Sequence, residues 1–165
     1  MDTGPDPVDL MLEQWRRERP GPDLWALGLM GRLFRVVQEA DARLAPPLRA
    51  IGLEAGWFDI LAALRRSGAP YELNPGALLE TVLLTSGGMT KRLDRMVGAG
   101  LIERRPDPED RRGTRVRLTR KGKALAEKAV AMHAANEAAI LAGLSRAERR
   151  ELDRLLRTVE QALGG

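Results

Sequence analysis

Apolar residues recur along most of this chain with a helical period, and strand-like alternation interrupts the pattern at one place. In residues 8–19, Val8, Met11, Leu12 and Trp15 fall at i, i+3, i+4 and i+7, one face of a short helix. Asp9 and Glu13 stand early in it and Arg16, Arg17 and Arg19 late, which suits the helix dipole, and Pro20-Gly21-Pro22 ends it. Asp23 offers an N-cap for a long helix to about Ala45, with Leu27, Met30, Phe34, Val37 and Leu44 on its buried face and Pro46-Pro47 as its stop. A third helix over about 54–67 turns Trp57, Ile60, Leu61 and Leu64 inward and closes at Gly68. Asn74-Pro75 is a cap followed by proline at the first helical position, so a short helix runs from 75 to about 83.

Thr85 or Ser86 caps the next helix, which Gly98-Ala99-Gly100 closes. Leu101–Arg105 and Thr114–Thr119 are strand-like, and in the second Val116 and Leu118 alternate with Arg115 and Arg117. Between them PDPEDRRG is turn chemistry throughout. A long helix from Arg120 to about Ala142 carries Leu125, Ala129, Met132, Asn136 and Ile140 in its inner stripe. Ser145 begins a last helix with Leu152, Leu155, Leu156, Val159 and Leu163. The predicted order is five helices, two strands and two helices.

Charge changes the picture. Residues 86–123 hold 12 Lys/Arg against 5 Asp/Glu, a local net charge of +7, whereas the whole chain is only +4. A basic module on an otherwise acidic chain is the footprint of a polyanion, with double-stranded DNA the leading candidate. Absence of cysteine excludes a disulfide scaffold, a thiol nucleophile and a cysteine redox sensor. The opening MDTGPDPVDL has neither a basic n-region nor an apolar h-region, and no apolar run approaches a membrane span, so the expectation is a soluble cytoplasmic protein without a membrane partner.

The basic module also has the order of a helix-turn-helix followed by a β wing. Stepping about 100° per residue from Met89 gathers Met89, Leu93, Met96 and Val97 on one side of the 85–98 helix. Gly87, Lys91, Asp94 and Arg95 fall opposite, with Thr90 at the edge. Small residues allow close approach to a major groove, Ser86 and Thr90 can donate to phosphates or base edges, and Lys91 and Arg95 supply charge or guanine contacts. In the wing, Asp110 holds the loop or orients Arg112 toward a minor groove, while Arg111 and Arg115 serve as phosphate contacts.

The stretch SGGMTKRLDRMVGAGLIERRPDPEDRRGTRVRLTRKG resembles the signature of the MarR family of winged-helix transcription regulators, with the wing's Asp-x-Arg at Asp110 and Arg112. The resemblance extends from about residue 24 to the C-terminus. It implies a mainly α fold with a two- or three-stranded β wing and a homodimer formed by N- and C-terminal helices. It also implies a pseudo-palindromic operator and a small-molecule effector pocket between the dimer helices and the DNA lobe. The expected organisation is an N-terminal extension helix over 1–22, dimerisation helices over 23–50 and 120–165, and a winged helix-turn-helix over 51–119. The apolar terminal helices point the same way, the alternative being that they fold back on their own core.

LEQWRRERP, an additional N-terminal helix carrying Trp15, is similar to the mark of the family's urate-responsive branch. That resemblance implies an effector site of Trp15, Asp59 of WFDIL, Arg92 of TKRLD and Arg104 of IERR, with Arg105 the alternative to Arg104. On the wheel Arg92 lies near roughly 300°, between the buried stripe and the DNA face. From there it can reach a pocket and still disturb the recognition surface. Trp15 can stack on a planar purine while Arg92 pairs with its anionic oxygen, and Asp59 and Arg104 can form an ion pair that changes when an anion enters. Other purines, phenolic acids and small carboxylates are the alternative effectors.

The stretch ALLETVLLTS is more apolar than a helix-turn-helix needs, which suggests burial against the effector pocket or a neighbour. His133 is the only histidine and is expected to lack cysteine or nearby carboxylate partners, no P-loop or dinucleotide fingerprint occurs, and Ser86-Gly87-Gly88 is not a nucleophile elbow. The expectation is a protein that is not an enzyme, takes no cofactor or metal and acts as a repressor. A winged helix that docks an acidic protein is the alternative from another class.

Overall fold

Asp6 starts the first helix: its carboxylate accepts a hydrogen bond from the Val8 N–H at 2.8 Å, and Pro7 fills the first helical position. The computed structural model describes residues 6–82, 88–108, 110 and 113–164. Its elements are α1 (Pro7–Glu18), α2 (Trp25–Ala50), α3 (Trp57–Arg66), β1 (Glu72–Leu73), α4 (Pro75–Thr81), α5 (Met89–Gly98), β2 (Ile102–Pro106), β3 (Thr114–Leu118), α6 (Arg120–Ile140) and α7 (Arg146–Ala162). The chain divides into two units, Met1–Ala45 and Pro46–Gly165.

In the first unit α1 lies on α2 through glycine. A Cβ at Gly28 would stand 3.0 Å from Leu12 Cδ1, and one at Gly31 would stand 3.4 Å from Val8 Cγ1. Val8 and Leu12 are buried there. Arg32 clasps the start of α1 by pairing with Asp6 and, at 2.6 Å, with Asp9. The stripe expected to be the buried face of α2 is not covered within this chain: Leu27, Met30, Phe34 and Val37 are all exposed, Phe34 to 62%. The helical period was legible, but the residues of the stripe are exposed rather than buried.

The stop expected at Pro46-Pro47 does not occur. The helical φ suits proline, so the backbone continues to Ala50 at the cost of the N–H groups that would have reached the carbonyls four residues earlier. Leu48, Ile51 and Leu53 pack the helix end into the second unit's core, and Leu53 N–H donates to the Leu48 carbonyl. That anchoring outweighs the lost hydrogen bonds.

In the second unit α3 buries Trp57, Ile60, Leu61 and Leu64, as its pattern predicts. α4 is capped by Asn74, whose side-chain oxygen accepts from Ala77 N–H at 2.8 Å. Leu78 and Val82 enter the core, which accounts for part of the apolar character of ALLETVLLTS; residues 83–87, with the expected cap at Thr85 or Ser86, lie outside the described residues. The sheet has three antiparallel strands in the order β1-β3-β2, with Leu73 opposite Val116 and Arg104 opposite Val116 from the other side. β1 has two residues and no alternation to read; it supplies the third strand of the two- or three-stranded wing that the resemblance implied.

α6 is seated by backbone contact. Thr119 accepts from Gly122 N–H at 3.0 Å, and its hydroxyl donates to the Gly100 carbonyl at 2.7 Å. Thr119 N–H donates to the Leu101 carbonyl at 3.1 Å. A Cβ at Gly122 would lie 1.9 Å from that same Leu101 oxygen, so only glycine fits. α7 opens with a capping box between Ser145 and Glu148 and buries no residue; Leu152, Leu155, Leu156 and Val159 are exposed. Among the described residues no helix is long and apolar enough to cross a membrane.

Gly122→Ala forces a backbone shift where α6 meets Leu101 and should destabilise by about 1–3 kcal/mol, read as a lower Tm and urea midpoint. The helix-start amide and Arg32 together hold the Asp6 carboxyl below its ordinary value of 3.8. A depressed carboxyl contributes stability above its unfolded pKa and loses it as pH falls through the folded one. The deficit of Asp6→Asn in urea midpoint should therefore be full well above the ordinary carboxyl value of 3.8 and shrink as pH falls below it through the lowered folded-state pKa.

Candidate nucleic-acid interface

α5 is fixed from behind and open in front. Met89, Leu93 and Met96 are buried, with Met96 fully enclosed. Val97, expected on the same stripe, is 39% exposed: it lies at the edge of the buried face, next to the fully enclosed Met96. Gly88, at φ 80, is the N-cap; the left-handed conformation turns the chain into the helix without a side-chain cap. Thr90, Lys91, Asp94 and Arg95 all face solvent.

Two cations flanking this face are already engaged. Arg95 pairs with Glu54, in the turn ahead of α3. Arg104, on β2, pairs with Asp94 at 2.7 Å. The sequence reading placed Arg104 with Asp59; the carboxylate it meets is instead on α5, beside β2. Asp59 is half-buried and makes no ion pair among the described residues. Neither Glu54 nor Asp94 was singled out as a partner, since each pair joins residues distant in sequence through side chains alone.

Arg92 sits on the flank of α5 that the helical wheel assigned it. Its Nη1 is buried and has no hydrogen-bond partner among the described residues. It lines a cavity of about 250 Å³ with Glu54, Trp57, Gly88, Lys91 and Arg95. Arg104 lines a different cavity, of about 390 Å³, with Met89, Thr90 and Leu93. Asp59 lines neither. Trp15 is half exposed on α1, in the first unit. The second unit thus separates Arg92, Asp59 and Arg104 rather than gathering them in one cavity. A buried guanidinium N–H without an acceptor is suited to an anion.

In the wing, β2 and β3 pair as far as Pro106 opposite Thr114. Asp107, unremarked in the sequence, then closes the ribbon. Its N–H donates to the Gly113 carbonyl at 3.0 Å, and its carboxylate lies 3.1 Å from Arg115 Nε. The Asp107 side chain is only 8% exposed there, so Arg115 braces the wing. The turn signal PDPEDRRG could have found Asp107 only if the strand register had been known. Asp110 is exposed and its carbonyl accepts from Gly113 N–H at 2.8 Å. Ser86, Gly87, Arg111 and Arg112 lie outside the described residues. His133 lies against Phe58 with ring centres 4.2 Å apart, and contrary to the sequence reading it has a carboxylate neighbour, Glu137, one turn on with 3.3 Å between Nε2 and Oε1; no cluster of three metal-ligating side chains occurs among the described residues.

A model of the MarR family matches residues 51–113. The HTH-type transcriptional regulator PecS of Dickeya dadantii (strain 3937) is 39% identical over 156 residues, which cover 94% of this chain and 94% of that protein. Among solved structures, a mutant of MarR from E. coli complexed with operator DNA superposes with a TM-score of 0.71 at 28% identity, over 84% of this chain and 99% of that one. Bordetella bronchiseptica BpsR, from a study of how 6-hydroxynicotinic acid regulates its DNA binding, superposes with a TM-score of 0.74 at 26% identity, over 85% and 98%.

Asp107→Ala removes the carboxylate that braces Arg115 and should loosen the ribbon locally. Amide exchange in residues 102–106 and 114–118 should speed up roughly tenfold, with α3 unaffected. Equal acceleration in α3 would mean that the wing does not open on its own.

Proposed function

The chain belongs to the MarR family of winged helix-turn-helix DNA-binding transcriptional regulators, which are not enzymes, and from that premise we propose that it is a homodimeric repressor released by a small anionic aromatic ligand. The observation that carries the reading is α5. It is held by three buried apolar residues and offers Thr90, Lys91 and Arg95 outward, within a segment of net charge +7. Two such helices, one from each protomer, enter successive major grooves about one helical turn apart on a pseudo-palindromic operator. The wings, with Asp110, Arg111, Arg112 and Arg115, reach the flanking minor grooves, and Ser86 and Gly87 lie ahead of the recognition helix. The uncovered apolar residues of α2 and α7 support a dimer, since both faces would otherwise stand in water.

For the ligand, the unpartnered Arg92 Nη1 supports an anion at the flank of the recognition helix. Urate suits it: planar, anionic near neutral pH and able to stack on an indole such as Trp15. Asp59 and Arg104 complete the candidate set, and Arg104 would exchange its Asp94 partner on binding. To release DNA, the ligand must favour the DNA-incompetent conformation by a coupling of about 1–3 kcal/mol. An aromatic carboxylate is the second candidate, on the strength of the relative studied with 6-hydroxynicotinic acid.

Fluorescence anisotropy of the protein on its own upstream intergenic DNA, with and without urate, tests both halves. Specific binding that falls steeply with salt and weakens with urate is the expected outcome. Trp15→Ala should keep the DNA affinity and lose the urate response. An intact response in that variant removes Trp15 from the site, and absence of specific binding sinks the regulator mechanism proposed here.

A further inference from the structure

Glu54 is an acidic residue built into a surface that the preceding reading gives to DNA. Its place is fixed by its neighbours: Leu53 is buried, and Trp57 N–H donates to the Glu54 carbonyl at 3.1 Å. The side chain lines the cavity in front of α5 together with Lys91, Arg92 and Arg95, and it is the one carboxylate among those lining residues. Of the three cations only Arg95 is in an ion pair with it, and both partners remain substantially exposed, 64% and 43% at the side chain.

We propose that Glu54 is a specificity-determining residue for DNA recognition, acting by holding the Arg95 guanidinium so that it favours a neutral base edge over a phosphate. The argument rests on the DNA-recognition reading of α5 above. A guanidinium has two hydrogen-bonding edges, and a carboxylate on one leaves the other free and oriented. Guanine offers O6 and N7 to that edge without bringing net charge near Glu54. A phosphate brings a second anion to the same guanidinium and is repelled. Non-operator binding is almost entirely phosphate contact, so Glu54 penalises it more than operator binding. Glu54 is thus a positioning residue that acts through Arg95.

The test measures anisotropy of the full chain on two duplexes of equal length and composition, the operator-bearing sequence and a scrambled one. Glu54→Gln should tighten binding to the scrambled duplex about two- to five-fold at low salt and change operator binding less, so that discrimination falls. The gain should shrink as salt rises, should be absent when Glu54→Gln is made on an Arg95→Ala background, and should be absent in Glu54→Asp where the pair re-forms. Equal shifts on both duplexes, no shift on either, or a gain that persists without Arg95 would overturn the proposal while leaving operator recognition standing. Failure of the unaltered protein to prefer the operator would overturn the recognition reading and this inference with it.

Discussion

The approach of the α6 backbone to the Leu101 carbonyl is the contact on which the second unit depends. Gly122 leaves no room for a side chain there, and the N–H and hydroxyl of Thr119 bond to the Leu101 and Gly100 carbonyls in the same few ångströms. Those carbonyls belong to the turn that ends α5 and begins β2. One junction therefore sets the exit of the recognition helix, the entry of the wing and the first turn of the longest helix in the unit. Lys121 adds to it by donating to the Ala99 carbonyl at 2.9 Å. Movement of α6 cannot leave α5 behind without breaking this set, so the two helices are linked through one discrete group of hydrogen bonds.

Around that junction the core is layered by residue size. α3 brings bulky side chains, α6 meets it with Ala126 and Ala129, and β3 inserts Val116 between helices and sheet. Small residues on α6 let it lie close to α3, and His133 stacking on Phe58 extends the contact beyond the alanines. Tyr71 caps the region, its ring 4.9 Å from both the Arg65 guanidinium carbon and the Lys123 ammonium. Arg65 of α3 and Lys123 of α6 are thereby tied through Tyr71, just ahead of β1, whose ring also packs against the core.

Elements whose own residues carry the signal were legible in the sequence. The buried stripes of α3 and α5, the Asn74 and Ser145 caps and the alternation of β3 each follow from local periodicity or local hydrogen bonding. The continuation of α2 through Pro46-Pro47 was not legible, because its cause is burial of Leu48 and Ile51 elsewhere in the unit. β1 was too short to have a period. The stripe on α2 was visible as a stripe, but periodicity says that a face seeks cover and nothing about where the cover comes from. The same division holds at the site. Lys91, Arg92 and Arg95 could be placed on faces of one helix, whereas the pairs Arg95–Glu54, Arg104–Asp94 and Arg115–Asp107 each join two different segments of the chain, and such side-chain pairing leaves no trace in spacing.

Arg92 has a consequence for the balance between durability and responsiveness. A buried guanidinium nitrogen with no acceptor is a net loss to the folded chain, on the order of 1–3 kcal/mol. A sequence chosen for stability alone would place an apolar or neutral side chain at that position and lose nothing in packing. Keeping the cation there makes the protein less stable than its architecture permits. The position is therefore one where consensus-style stabilisation would produce a sturdier molecule at the cost of a donor that the proposed anion could use.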